Sequence, residues 1–267
     1  MRSVHHGPMA WLLGQVTLLA TLATTVGLGG PGWGAGMTSA VVVDAGLARG
    51  LARRGADRMG PADRVTLTRA TLVCGVAALT ADAFLRPVPV GAFVALTVVA
   101  LVLDSVDGAV ARRTGTASAL GARFDMEVDA FLILVLSAYA ARSVGVWVLA
   151  IGLARYAFVA AGSVLPWMRG SLPPRYWRKV VAAVQGVVLA AAAAGVLPGP
   201  VVMVAVVAAL ALLTESFGRD VLWLWHHQRV GAEHVGAERV TPGPARTLHL
   251  GAGADGQLPA APAPDGC

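Results

Sequence analysis

Charge is scarce in this chain. Of its 267 residues only 13% are Asp, Glu, Lys or Arg, and Lys179 is the single lysine. With 56% hydrophobic residues and a mean hydropathy of +0.68, that scarcity excludes a soluble domain, in which about a quarter of the residues carry charge. Cysteine is nearly missing: Cys74 sits inside an apolar run and Cys267 is the last residue, which excludes a disulfide framework and a thiolate metal site. The six histidines are confined to the termini and flanks, and His226 with His227 reads as an interfacial pair rather than a ligand set. A net charge of +6 would suit nucleic acid. Here the arginines gather in short loops between apolar runs, as the positive-inside rule places them, and no nucleic-acid partner is expected.

What is present is apolar length. Stretches of about 20 residues, enough to cross the hydrocarbon core, run near 9–28, 33–52, 66–84, 88–108, 122–141, 146–166, 180–197 and 199–217. Asp44 interrupts the second, which makes it the weakest. The first follows Arg2 as a signal peptide would, but it is long and lacks a clear small-residue cleavage site, so it reads as an anchor. Arg49, Arg53, Arg54, Arg58 and Arg64 precede the third span; Arg169, Arg175, Arg178 and Lys179 precede the seventh; Arg219 and Arg229 follow the eighth. Only Arg86 and Arg142 fall at opposite ends. Eight spans with this bias put both termini and the loop between the fourth and fifth spans in the cytoplasm. The expected fold is all-α, a polytopic transmembrane helical bundle in the plasma membrane. Small residues such as Ala190 to Ala194 supply close helix packing, and Trp147, Trp167, Trp177, Trp223 and Trp225 fall near expected interfaces. From Gly231 the chain turns to Gly, Ala and Pro without helical period, and residues 231–267 read as a disordered cytoplasmic tail.

Against this background one stretch stands out, DSVDGAVARRTGTASALGARFDMEVD, from Asp104 to Asp129. Asp104, Asp107, Gly108, Ala111 and Arg112 recur at i, i+3, i+4, i+7 and i+8, one face of a helix. Gly121, Asp125 and Asp129 repeat the device at i, i+4 and i+8. Glu127 falls on the other face and reads as solvent-facing or as outer support. Two such helices face to face would converge four carboxylates. At about 4 Å and an effective dielectric near 20, each pair repels by about 4 kcal/mol, so a counter-charge is required. An all-oxygen set without His or Cys suits Mg²⁺, Mn²⁺ or Ca²⁺, and two such ions would suit phosphoryl transfer.

The pattern D-x-x-D-G-x-x-A-R, eight residues, G-x-x-x-D-x-x-x-D resembles the signature of the CDP-alcohol phosphatidyltransferase family at every fixed position. The resemblance extends over roughly residues 60–220. It implies a six-helix membrane core with two additional N-terminal spans: an extension at 1–58, a catalytic membrane domain at 59–222, and an interfacial segment and tail at 223–267. It also implies transfer of a phosphatidyl group from CDP-diacylglycerol, or a related CDP-alcohol, to an acceptor hydroxyl with release of CMP. Asp104, Asp107, Asp125 and Asp129 would then ligate Mg²⁺ or Mn²⁺, two ions in the family's pattern, and Asp129 would be the catalytic base. Gly108, Ala111, Arg112 and Gly121 would receive the cytidine diphosphate. The chemistry of these residues agrees, since small residues admit a nucleotide to the helix backbone and a guanidinium forks onto a diphosphate.

Upstream, DRVTLTRATL resembles the family's N-x-x-T-x-x-R segment. Thr66 and Arg69 match and would be accessory to the site; Asp63 replaces the usual Asn and could equally cap the helix. Arg155, about nine residues into the sixth span, should face an internal cavity or pair with a motif aspartate. With Arg175, Arg178 and Lys179 it would form a basic pocket for an anionic acceptor such as glycerol 3-phosphate or inositol phosphate; the loop trio could equally just follow the positive-inside rule. Family members are often homodimers, so the resemblance implies a dimer. The alternative function is a membrane transporter that binds a cation through the clustered carboxylates.

Overall fold

Lipid offers the backbone no hydrogen-bond partners, so an apolar chain must satisfy its amides internally, and this one does so as helices. The computed structural model describes residues 6–52, 61–114, 119–170, 172–173 and 176–240; the side chains of 6–10, 51–52, 61–64, 105, 107–114, 119–120, 169 and 227–240 lie outside that description. Among the described residues there are eight α-helices and no strand: α1 His6–Thr25, α2 Gly30–Ala52, α3 Pro61–Ala83, α4 Val90–Thr114, α5 Ala119–Val144, α6 Leu149–Val164, α7 Tyr176–Ala194 and α8 Gly199–Val240. Short 3₁₀ turns at Val146–Val148 and Pro166–Arg169 flank α6. The helices follow the eight apolar runs one for one. Four stretches are long and apolar enough to cross a bilayer, namely Val65–Ala83, Val146–Val164, Tyr176–Ala194 and Gly199–His226; Trp11–Thr25 and Val90–Asp104 are shorter apolar stretches. The fold is the expected all-α membrane bundle.

Three local expectations change. α2 runs through Asp44 without a break. α3 begins at Pro61, so Asp63 lies in its first turn and is not the cap; Pro suits that first position because its missing amide hydrogen would have no helical partner. α8 continues to Val240, ten residues into the stretch read as tail, while 241–267 lie outside the described residues. The chain divides into two compact units, Met1–Trp225 and His226–Cys267, and of the second only the helix through Val240 is described.

The first unit is built around α3, which packs on α1, α2, α4 and α5. Its apolar stretch is 72% buried, against 17% for that of α6, because four neighbouring helices surround it. Val73, Val76, Ala78 and Leu79 of α3 join Leu19, Phe93, Leu136 and Leu189 in one core. Gly145 and Gly195 follow the last residues of α5 and α7 with φ of 121° and 64°, a conformation that costs glycine no Cβ clash and stops each helix there. Where α5 crosses α6, a Cβ on Gly152 would lie 2.5 Å from the Leu134 Cα, so only glycine admits this approach.

Candidate functional site

The end of α4, the start of α5 and the first turns of α3 meet at one end of the bundle. α4 carries Asp104 in its last three turns, and α5 carries Asp125 and Asp129 one turn apart, so both stripes project toward the same point. Carboxylate oxygens of Asp104, Asp125 and Asp129 lie within 4.8 Å of one another. Each of the three side chains is 35–42% exposed, so the group opens toward solvent on one side.

Its other side is closed by Arg69 of α3, whose side chain is 1% exposed. One guanidinium nitrogen, Nη1, donates to Asp104 Oδ1. The other, Nη2, donates to Asp125 Oδ1 and to the Asp125 backbone carbonyl at 3.2 Å, and lies 3.1 Å from Asp129 Oδ1. A single cation thus joins three helices. Its protonation is not negotiable, because guanidinium does not give up its proton in a protein, and its burial is tolerable only because the three carboxylates surround it. Thr66, one turn earlier on α3, is buried as well.

Three carboxylates so close demand more positive charge than one arginine carries. All-oxygen donors, half exposed and with no thiol or imidazole grouped with them among the described residues, fit a hard divalent cation better than zinc. The Asp104–Asp125–Asp129 group can hold such an ion.

The remaining expected site residues divide into two sets. Asp107, Gly108, Ala111 and Arg112 occupy the last turns of α4, with side chains outside the described residues; Gly121 is in the first turn of α5, one turn before Asp125. Arg155 pairs with Glu127 and, among the described residues, not with Asp104, Asp125 or Asp129, so Glu127, expected to face solvent or stand behind the site, has a partner of its own on α6. Burial around Arg155 leaves its Nε without a hydrogen-bond acceptor. Arg178 is held by Asp220 of α8 at 3.4 Å and by the Pro173 carbonyl. Lys179, the next residue, is close enough to attract Asp125 electrostatically. Arg175 lies outside the described residues.

Four helices long and apolar enough to cross a bilayer, together with carboxylates of α4 and α5 that converge against a buried arginine, define an integral membrane protein with a candidate divalent-cation site. A family model for CDP-alcohol phosphatidyltransferase matches residues 59–214, more than half of the chain, and the chain belongs to that family. Membership makes it a CDP-alcohol phosphotransferase that works in a lipid environment on a CDP-alcohol donor and an alcohol acceptor. No curated protein and no solved structure matches the chain.

Proposed function

We propose that the protein transfers a phosphatidyl group from CDP-diacylglycerol to the hydroxyl of a phosphorylated polar alcohol, such as glycerol 3-phosphate or inositol phosphate, and releases CMP. The observation that carries this reading is the convergence of Asp104, Asp125 and Asp129 around one point, in a chain of this family. In this reading residues 59–222 are the catalytic membrane domain, and Asp104, Asp107, Asp125 and Asp129 hold Mg²⁺ or Mn²⁺ as a pair of ions. When bound, divalent cations neutralise the donor diphosphate and the charge developing on the departing CMP. Gly108, Ala111 and Gly121 let the cytidine diphosphate lie against the helices, and Arg112 forks onto it. Asp129 takes the proton of the acceptor hydroxyl as its oxygen bonds to the phosphorus carrying the diacylglycerol. The phosphoanhydride bond then breaks, and its electron pair leaves with CMP.

The acceptor assignment draws support from charge placement. Lys179 at the start of α7 attracts Asp125 electrostatically, and Arg155 is paired with Glu127. A phosphorylated acceptor close to Asp125 would gain the Lys179 charge, whereas a neutral alcohol would gain nothing. Arg175 and Arg178 belong to the same basic segment, although Arg178 spends its charge on Asp220. The arginine distribution supports a cytoplasmic site and cytoplasmic termini in the plasma membrane.

The deciding experiment is CMP release by purified protein with CDP-diacylglycerol and Mg²⁺ or Mn²⁺, across glycerol 3-phosphate, inositol phosphate, inositol, serine and phosphatidylglycerol. Release with a phosphorylated acceptor, lost on chelation, is the expected result. Cation flux into proteoliposomes without CMP release with any acceptor would instead favour a transporter.

A further inference from the structure

We propose that Arg69 is the resident counter-cation of the aspartate group, a positioning residue that keeps the three carboxylates assembled before a divalent ion arrives. The inference rests on the reading of Asp104, Asp125 and Asp129 as a cation site. Arg69 reaches Oδ1 of each of the three. Nothing local in sequence forces this contact, since Arg69 is 35 residues from Asp104 and 56 from Asp125.

Charge and geometry make the arginine and the aspartates mutually necessary. Without Arg69, three like charges within 4.8 Å of one another would push α4 and α5 apart at this end. Without the aspartates, a guanidinium that is 1% exposed would be buried uncompensated. Three negative charges and one positive still leave the group net negative. Arg69 thus lowers the cost of assembling the site without cancelling its attraction for the ion. A lysine could not substitute, because a compact ammonium cannot spread two nitrogens across carboxylates from two different helices.

The test is thermal unfolding of the detergent-solubilised full chain, in chelator and in Mn²⁺, for wild type, Arg69→Met, Arg69→Lys, Asp104→Asn and the Arg69→Met/Asp104→Asn pair. In chelator, Arg69→Met should unfold well below wild type. Mn²⁺ should recover much of the loss, so that the Mn²⁺-induced rise in Tm is at least twice that of wild type; Arg69→Lys should fall between. Removing one carboxylate relieves the repulsion, so the double variant in chelator should be more stable than Arg69→Met alone. A side chain that merely fills space would show neither effect. The proposal is overturned if Arg69→Met loses the same stability with and without Mn²⁺ and Asp104→Asn gives no relief, or if Arg69→Met loses none. Should Arg69→Met fail to fold in chelator, Arg69→Lys is judged by the same criterion. A wild type that Mn²⁺ does not stabilise at all would sink the cation site itself, whereas wild type and variants stabilised equally would sink only the role of Arg69.

Discussion

At the scale of single residues the site divides labour between groups that hold and groups that react. Asp129 is the aspartate farthest along the α5 stripe and has been assigned the acceptor's proton. Asp129→Asn keeps the shape and loses the base, so CMP release should drop by about 10²- to 10⁴-fold, the usual worth of general-base assistance. A rate within threefold of wild type in a folded Asp129→Asn protein would remove that assignment. Lys179 makes a finer distinction. If it receives the acceptor phosphate, Lys179→Met should raise KM about tenfold or more for a phosphorylated acceptor, the worth of a charge-assisted hydrogen bond, with little change in kcat. The KM for CDP-diacylglycerol should stay near wild type, and a rise in both would place Lys179 on the donor side.

These residues were unevenly legible in the sequence. The aspartates announce themselves because helical spacing puts them on common faces within one continuous stretch. Arg69 appears only as a match in a short upstream segment, because its importance arises from contacts with two other helices that no local period encodes. Arg155 was legible as a charge in need of a partner. Its partner, Glu127, was not, because a helical-face argument assigns a residue away from one neighbour and says nothing of the next helix over.

Between elements, the attachment of α1 and α2 to α3 matters most, since the family match begins only at residue 59. Both ends of α3 are tied to this N-terminal pair. Near the aspartate end, the Trp11 indole of α1 donates to the Leu67 carbonyl at 3.2 Å, two residues from Arg69. At the other end, Asp82 of α3, 1% exposed, accepts from the Gly29 and Gly32 amides at 2.7 and 2.8 Å and pairs with Arg86. A carboxylate from one helix here caps the N-terminus of another, where free amides and the helix dipole favour negative charge. The fit is tight, because a Cβ on Gly32 would come within 2.9 Å of the Asp82 carboxylate. Asp82→Ala would strand two amides in a buried setting, which costs about 2–4 kcal/mol. Its Tm in detergent should fall by several degrees, while CMP release at low temperature persists because Asp82 lies at the end away from the aspartate group. An unchanged Tm would mean that α2 docks on α3 without this cap.

Across the whole molecule, the order and number of helices were readable from apolar runs and turn residues, because lipid leaves a spanning chain few alternatives to the helix. Helix ends were less readable: α4 and α8 continue past their apolar stretches into polar sequence, where hydropathy no longer marks a boundary. Orientation is a separate matter that hangs on arginine placement. If the positive-inside reading holds, the α3–α4 turn faces outward, and the start of α7, whose Lys179 attracts Asp125 electrostatically, faces the cytoplasm. Leu85 in that turn is 74% exposed and Tyr176 at the start of α7 is 81% exposed, so each can carry a reporter. The native Cys74 is fully buried and should stay silent. In a Cys267→Ser background, Leu85→Cys should react with a membrane-impermeant maleimide on intact cells, and Tyr176→Cys only in inverted vesicles. The reverse pattern would put the aspartate group on the outer face, where cytoplasmic CDP-alcohol could not reach it, and the proposed reaction could not run in that orientation.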